Sequence, residues 1–259
     1  MSSKSSETLK NELVTVARRA GAVILGIYNR DFETLRKADR SPVTEADTAA
    51  EAVILEALAR LVPDVPVIAE EQCAKDGVPQ AAPKRFFLVD PLDGTKEFIA
   101  KNGEFTVNIA LIEDGAPVLG VVYIPATDAC YAAADGKAER SLGTAEPEPI
   151  AARATPADGL VMAISRSHAD GAVERAKARG FNVATTIVAG SSLKFCRIAE
   201  GVADLYPRFG PTMEWDTAAG QAVLEAAGGR VETVEGARFA YGKPGFQNTH
   251  FIAYGRRDA

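Results

Sequence analysis

Phe86 to Phe98 reads FFLVDPLDGTKEF, and this segment decides how the rest of the chain is read. Arg85 to Val89 is a short apolar run after a charge, the signature of a buried strand, and it ends at Asp90. Pro91 has no N–H to give to a ladder, so the strand is expected to stop there. Asp93-Gly94 then makes a tight turn, because Asp tolerates turn geometry and Gly takes a positive φ at no steric cost. The consequence is two carboxylates, Asp90 and Asp93, forced close together at a strand end. A turn that merely favours Asp and Gly would look the same, so the reading depends on what other acidic groups converge on it.

Two further acidic positions stand out. Glu70-Glu71 follow the strand-like run Val65 to Ala69, and Trp215-Asp216 precede a helical run from Thr217 to Ala227. Each has a plain alternative: solvated charge past a strand end for the glutamates, and a helix N-cap worth roughly 1 kcal/mol for Asp216. If Glu70, Asp90, Asp93 and Asp216 converge, however, each like-charge pair at about 4 Å repels by about 4 kcal/mol at an effective dielectric near 20. Such a cluster needs cations. All-oxygen donors fit Mg²⁺ or Mn²⁺ rather than zinc, and the chain has only 2 His and 3 Cys. Two hard cations roughly 3.5 to 4 Å apart are the metal-assisted route to phosphate ester hydrolysis, which needs no Ser, Cys or His nucleophile.

The rest of the chain supplies an ordinary globular setting. Its 259 residues allow one large domain or two modest ones, and 47% hydrophobic with 25% charged residues leave no support for disorder, collagen or coiled coil. With 35 acidic against 29 basic side chains the net charge of -6 has the wrong sign for a protein that neutralises nucleic-acid backbone. Cys73, Cys130 and Cys196 are widely spaced and form no CxxC pair, which points to a reducing cytoplasm. The opening MSSKSSETLK has no apolar signal region, and no early stretch approaches the roughly 20 residues needed to span a bilayer.

Periodicity predicts helices over Glu7 to Tyr28 and from Thr44 to about Val62, a hairpin of Phe105 to Ile112 with Val118 to Ile124, and a third strand at Ala129 to Ala134. The Pro- and Ala-rich stretch 144–159 is the expected boundary. Beyond it strand-like runs alternate with helical ones. The expected class is therefore α/β, with an α+β half over 1–150 and an α/β half over 151–259.

Taken together, Glu70-Glu71, DPLDGT (Asp90 to Thr95) and WDTAAGQAVLEAAGG (Trp215 to Gly229) resemble the signature set of the Mg²⁺-dependent, lithium-sensitive inositol monophosphatase superfamily. EFTVNIALI (Glu104 to Ile112), SRSHAD (Ser165 to Asp170) and the run from Gly190 to Gly220 narrow the resemblance to its bacterial 3'(2'),5'-bisphosphate nucleotidases. LDGT is also similar to the DxDGT loop of haloacid-dehalogenase-type phosphatases, but Asp90 and Asp93 are separated by two residues rather than one.

The resemblance implies a layered αβαβα sandwich. Its first half would carry the metal-binding loops, and its second half would complete the site and bind the nucleotide. The implied activity is removal of the 3'-phosphate of adenosine 3',5'-bisphosphate (PAP), with 3'-phosphoadenylyl sulfate as a second substrate. An inositol monophosphatase, or a non-catalytic phosphonucleotide-binding protein, is the alternative. Glu70, Asp90 and the Leu92 carbonyl would hold one Mg²⁺, and Asp90, Asp93 and Asp216 a second, with Mn²⁺ as a substitute. Thr95, backed by Asp47, would orient the attacking water, with Glu70 the third catalytic group. Gly94 and Thr95 would meet the scissile phosphate, whereas His168, Ser191, Lys194 and Arg208 would bind the other phosphate and the nucleoside. A sulfur-assimilation role follows from that substrate. Peripheral contact with the cytoplasmic face of the inner membrane and the oligomeric state stay open.

Several of these residues have plain readings beside the functional ones. Thr44-Glu45-Ala46-Asp47 matches [ST]-x-x-[DE], so Asp47 also reads as a capping-box member. If Ser191 caps a helix, Lys194 falls at its third position, where the macrodipole disfavours a cation unless an anion binds; otherwise it is a surface lysine. Arg208 also reads as a surface ion pair, His168 as a helix cap, Cys73 as a loop thiol and Trp215 as packing around Asp216.

Overall fold

The computed structural model describes residues 5–36, 42–166 and 171–256. The chain opens with α1 (Ser6–Tyr28), a short antiparallel pair β1 (Thr34–Arg36) and β2 (Pro42–Thr44), and α2 (Glu45–Leu61). There follow β3 (Val67–Ala69), α3 (Glu70–Asp76), β4 (Arg85–Asp93), α4 (Thr95–Ile99), β5 (Thr106–Glu113), β6 (Ala116–Ile124), β7 (Ala129–Ala134), β8 (Lys137–Leu142) and β9 (Glu148–Pro149). The remainder comprises β10 (Leu160–Ser165), α5 (Ala172–Ala178), β11 (Val183–Ala189), α6 (Leu193–Ala199), β12 (Leu205–Arg208), α7 (Ala218–Ala226), β13 (Arg230–Thr233) and β14 (Phe251–Tyr254).

Strands β3 to β9 form one seven-stranded sheet in chain order, parallel only at β3–β4. The other five form a mixed sheet in the order β11-β10-β12-β14-β13. Successive residues of β4 explain why FFLV is apolar throughout rather than alternating. Phe87 and Val89 face α1 and α2, in a cluster with Leu13, Ile24, Ile54 and Val107. Phe86 and Leu88 face the opposite way, in a cluster that holds α6, α7 and the inner face of the five-stranded sheet, including Phe195, Val223 and Phe251. A strand buried on both faces reads as a continuous hydrophobic run.

A third cluster, with Met162, Ala176, Leu205 and Ile252, seats α5 on the outer face of the second sheet. The layers are thus helix, sheet, helix, sheet, helix, as the resemblance implied. The small residues of the WDTAAG run let α7 lie close on β6: a Cβ at Gly120 would stand 2.6 Å from Ala219 O and from Ala222 Cβ.

Several expected boundaries move. Strand β4 does not stop at Pro91 but runs to Asp93, because its register against β5 shifts between Asp90 and Asp93. At such a bulge the missing N–H of proline breaks no ladder bond. The stretch after Glu70, read as a loop, begins with the seven-residue helix α3, and Thr95 opens the short α4. The first hairpin closes on Asp114 and Gly115 alone, with φ of 47° and 78°, the geometry of a type I′ turn. Helix α6 starts from Ser192 rather than Ser191, so Lys194 is its second residue. Asp216 is no N-cap of α7; it ends a 3-10 turn, Glu214–Asp216, and Thr217 precedes the helix. Among the described residues no helix is long and apolar enough to cross a membrane.

Candidate active site

The parallel pairing of β3 with β4 aligns Ala69 with Val89, so the next residues, Glu70 and Asp90, emerge side by side at the same sheet end. The turn ahead of α7 brings Asp216 to them from the second half of the chain. Carboxylate oxygens of Glu70, Asp90 and Asp216 lie within 4.8 Å of one another. Asp90 is buried, with Oδ1 accepting the Leu92 N–H at 3.0 Å, while Met213 N–H donates to Asp216 Oδ2 at 2.9 Å.

Asp93 shares the cleft but stands outside that trio. Its Oδ2 accepts the Ser192 N–H at 2.7 Å, at the start of α6, with Asn108 Nδ2 at 3.5 Å. Burial pushes the Asp93 carboxyl up to about 6, against the pull of Lys194 and with the push of Glu97 and Glu70. Burial, then the charges of Asp93 and Glu70, hold Asp216 well above the carboxylate range. Hard oxygen donors that converge and destabilise one another in this way are an arrangement that a divalent cation would relieve. The donor set therefore fits a divalent cation held by Glu70, Asp90 and Asp216, with Asp93 and the Leu92 carbonyl beside them.

Asp47 touches both Thr44 and Thr95. Its Oδ2 accepts from Thr44 N–H at 2.7 Å and Thr44 Oγ1 at 2.8 Å, closing the capping box, while Oδ1 accepts from Thr95 Oγ1 at 3.2 Å. One buried carboxylate thus caps α2 and orients the hydroxyl that opens α4. Gly94, between Asp93 and Thr95, has φ 89°, and a Cβ there would meet Ser191 Oγ at 2.2 Å, so side-chain-free backbone is required.

The cleft lining is also cationic. Lys194 is 3% exposed, which excludes the surface-lysine reading, and its Nζ donates to Ser191 O at 2.6 Å and Ala189 O at 3.2 Å. Burial lowers it to about 8, while Asp93 opposes the change. Ser191, at φ 49°, points Oγ at the Asp93 and Glu104 carbonyls, 2.8 and 2.7 Å away. Arg208 is half-buried; it donates through Nη2 to Pro211 O at 2.9 Å, and its Nε has no partner among the described residues.

A cleft of about 280 Å³ is lined by Glu70, Asp90, Leu92, Asp93, Gly94, Thr95, Ser191, Lys194, Arg208 and Asp216, while Asp47 stands behind Thr95. His168 lies outside the described residues. Cys73 is buried in α3, not a loop thiol, and burial pushes its thiol up to about 11.

Glu97, Ser165, Tyr206 and Thr212 also line the cleft and were not anticipated. Tyr206 was findable, since positions two apart on a strand share a face and Arg208 was already chosen. So was Asn108, a polar residue inside the apolar run TVNIALI, now seen behind Asp93 with its Oδ1 accepting from Ser192 Oγ at 2.7 Å. Glu97 and Thr212 carried no such signal.

The profile of the inositol monophosphatase family matches residues 5–254. Among similar proteins, the 3'(2'),5'-bisphosphate nucleotidase CysQ of Escherichia coli (strain K12) is 48% identical over 235 residues, covering 89% of this chain and 93% of that protein. The protein of the same name from Salmonella typhimurium is 49% identical over 248 residues, covering 92% and 98%. Among solved structures, CysQ from Bacteroides thetaiotaomicron superposes with a TM-score of 0.78 at 36% identity, covering 96% of this chain and 98% of that one. An inositol monophosphatase from Anabaena gives 0.75 at 27% identity, covering 96% and 90%.

Proposed function

The chain belongs to the inositol monophosphatase family, and we propose that it is a Mg²⁺-dependent 3'(2'),5'-bisphosphate nucleotidase that converts PAP to AMP and phosphate. The single observation that carries this reading is one cleft whose lining holds both a carboxylate trio and two cations. Glu70, Asp90 and Asp216 converge within 4.8 Å, and buried Lys194 and half-buried Arg208 line the same cleft. A substrate with two phosphates can use both the cations held by the trio and these basic side chains, and a simple monophosphate needs only the first. The relatives at 48 to 49% identity are nucleotidases, which disfavours the inositol monophosphatase and the non-catalytic alternatives.

Divalent cations bound by the carboxylates would lower the pKa of the attacking water and offset charge on the phosphate and the leaving oxygen. The chain's own residues do the positioning. Thr95 Oγ1 donates to Asp47, so it can accept from water and orient the oxygen for attack, taking the water's proton as its own passes to Asp47. Glu70 serves the same water as well as the metal. Backbone at Gly94 and Thr95 approaches the scissile phosphate. The water oxygen forms the new P–O bond, the bond to the ribose 3'-oxygen breaks, and that oxygen takes a proton from solvent to leave as the 3'-hydroxyl. Lys194, Ser191, Arg208 and His168 hold the 5'-phosphate and the nucleoside, and 3'-phosphoadenylyl sulfate, which keeps the 3'-phosphate, is a second substrate.

On this reading the two halves form subdomains, 1–150 carrying the metal loops and 151–259 completing the site and binding the nucleotide. The reaction serves sulfur assimilation, lithium inhibits it by competing at the cation site, and the cytoplasm is its place, in keeping with three free, buried cysteines. No described element supports the membrane contact left open above. The test is phosphate release from PAP, AMP and inositol 1-phosphate side by side, with and without Mg²⁺. PAP turnover that needs Mg²⁺ and exceeds the other two is expected; preference for inositol 1-phosphate, or no turnover, refutes the proposal.

A further inference from the structure

Asp216 reaches the cleft from a single 3-10 turn, Glu214–Asp216, a tight and intrinsically weak element. Its neighbours Glu70 and Asp90 are fixed by the seven-stranded sheet, Glu70 as the first residue of α3 directly after β3 and Asp90 within β4. Something must therefore hold that turn in register with the seven-stranded sheet.

The residues flanking Asp216 are gripped from behind by one strap of chain, 242–248. The Glu214 side chain is wholly buried. It accepts the N–H groups of Gly242 and Lys243 at 2.8 and 2.9 Å and pairs with Lys243 Nζ at 2.7 Å. Asn248 Nδ2 points to Met213 O at 2.7 Å, Thr217 Oγ1 at 3.0 Å and Thr212 Oγ1 at 3.1 Å, and the Asn248 N–H donates to Thr212 O at 2.9 Å. The strap is in turn fixed to the other sheet. Phe246 meets Phe86 of β4 edge-on at 6.1 Å, and Tyr241 N–H donates to Gly115 O at 3.0 Å in the β5–β6 turn. Neither Glu214 nor Asn248 lines the cleft.

We propose that Glu214 and Asn248 form a buried clasp that places the Asp216 carboxylate against Glu70 and Asp90, making both of them positioning residues for the cation end of the site. The proposal rests on the metal-dependent reading above and deepens it. Stability alone does not account for the clasp. An ion pair with one wholly buried partner, as Glu214 is with Lys243, contributes about as much as an apolar pair of the same volume, whereas it adds fixed, directional geometry. Asn248 Oδ1 is buried without a partner among the described residues, a cost that a residue chosen for packing would not carry. What this position needs is the amide NH₂, and that group faces the turn of Asp216.

The experiment titrates the metal-free full chain with Mn²⁺ alone, followed by electron paramagnetic resonance, with the melting temperature measured in parallel. Glu214→Gln and Asn248→Ala should each weaken Mn²⁺ binding about tenfold, the low end for groups that orient metal ligands. Met162→Val, in the separate cluster under α5, should lower the melting temperature and leave Mn²⁺ affinity unchanged. In an Asp216→Asn background the Glu214→Gln effect should vanish. If Glu214→Gln does not fold, Lys243→Met carries the same test. Wild-type affinity in both clasp variants, or an equal loss in Met162→Val, overturns the clasp. A wild-type protein that fails to bind Mn²⁺, or an Asp216→Asn variant that binds it normally, overturns the metal reading and the clasp with it.

Discussion

Asp47→Asn separates the two tasks of that carboxylate. The bonds that matter here are those Asp47 accepts from the Thr44 N–H and hydroxyl and from the Thr95 hydroxyl. An asparagine can keep both Thr44 bonds by turning its single carbonyl oxygen toward them, at the cost of charge assistance, which puts the stability loss at about 1 kcal/mol. Its NH₂ then faces Thr95 Oγ1. A donor now stands where an acceptor was, so the Thr95 hydroxyl must accept from the new amide and turn its own proton toward the cleft. It can no longer take a proton from the attacking water. Losing that help costs about 10²- to 10⁴-fold in turnover, or about 3 to 5 kcal/mol of barrier. The assay is phosphate release at saturating PAP and Mg²⁺, with Mn²⁺ binding and melting temperature on the same samples. Thr44→Ala should show the opposite split, losing about 1 kcal/mol of stability with turnover largely kept. Thr95→Ala should match Asp47→Asn, and the double variant should be little worse than either single one, because the pair acts as a unit. Turnover of Asp47→Asn within about threefold of wild type, with the helix destabilised as expected, would leave Asp47 a cap and nothing more.

Asp90→Asn should abolish turnover while the metal-free protein melts at the same or a higher temperature, because the buried charge of the trio is gone; normal turnover would end the metal-site reading. Lys194→Ala should weaken PAP binding by about 10- to 100-fold, a charge-assisted contact of about 1.5 to 3 kcal/mol, and a monophosphate far less; equal losses on both, compared by competition binding, would make Lys194 a structural residue. In the metal-free protein, Asp93 at about 6 and Asp216 raised well above the ordinary 3.8 bind protons more tightly folded than unfolded. Their contribution to stability is therefore complete below the unfolded value and disappears as pH rises through about 6 and beyond. Melting temperature in chelator should fall as pH rises from about 4 through about 6 and above, and saturating Mg²⁺ should flatten the fall; a chelated protein equally stable across that range contradicts the burial of these carboxyls.

Local rules reached the parts of this fold that depend on neighbours in sequence. The three- and four-residue spacing of α1, the apolar run of β4 and the capping box at Thr44 are all local, and each appears where expected. The trio was legible for a related reason. Glu70 and Asp90 each follow a short buried strand, so a single parallel pairing, Ala69 with Val89, brings them together. Asp216 was identified by its flanking Trp215 and small residues, although its local conformation was not.

What escaped the sequence depends on partners far along the chain. Pro91 sits inside β4 only because β5 offers a shifted register. Asp93 is tied to Ser192, 99 residues away, and that bond rather than any property of DPLDGT sets it apart from the trio. Lys194 was read as an anion-binding residue, but its burial was not legible, because nothing nearby in sequence shows that both sheets close over α6. The strap that grips Glu214 is the extreme case: its Gly-Lys-Pro-Gly run reads as a surface turn, and the carboxylate that fixes it lies 28 residues earlier. A buried polar side chain in an apolar context, as at Asn108, is the one sequence signal that announces such a long-range partner, because burial without one is too costly to persist. Glu214, between Met213 and Trp215, carries that same signal, and read by that rule it marks a contact that the chain must make elsewhere.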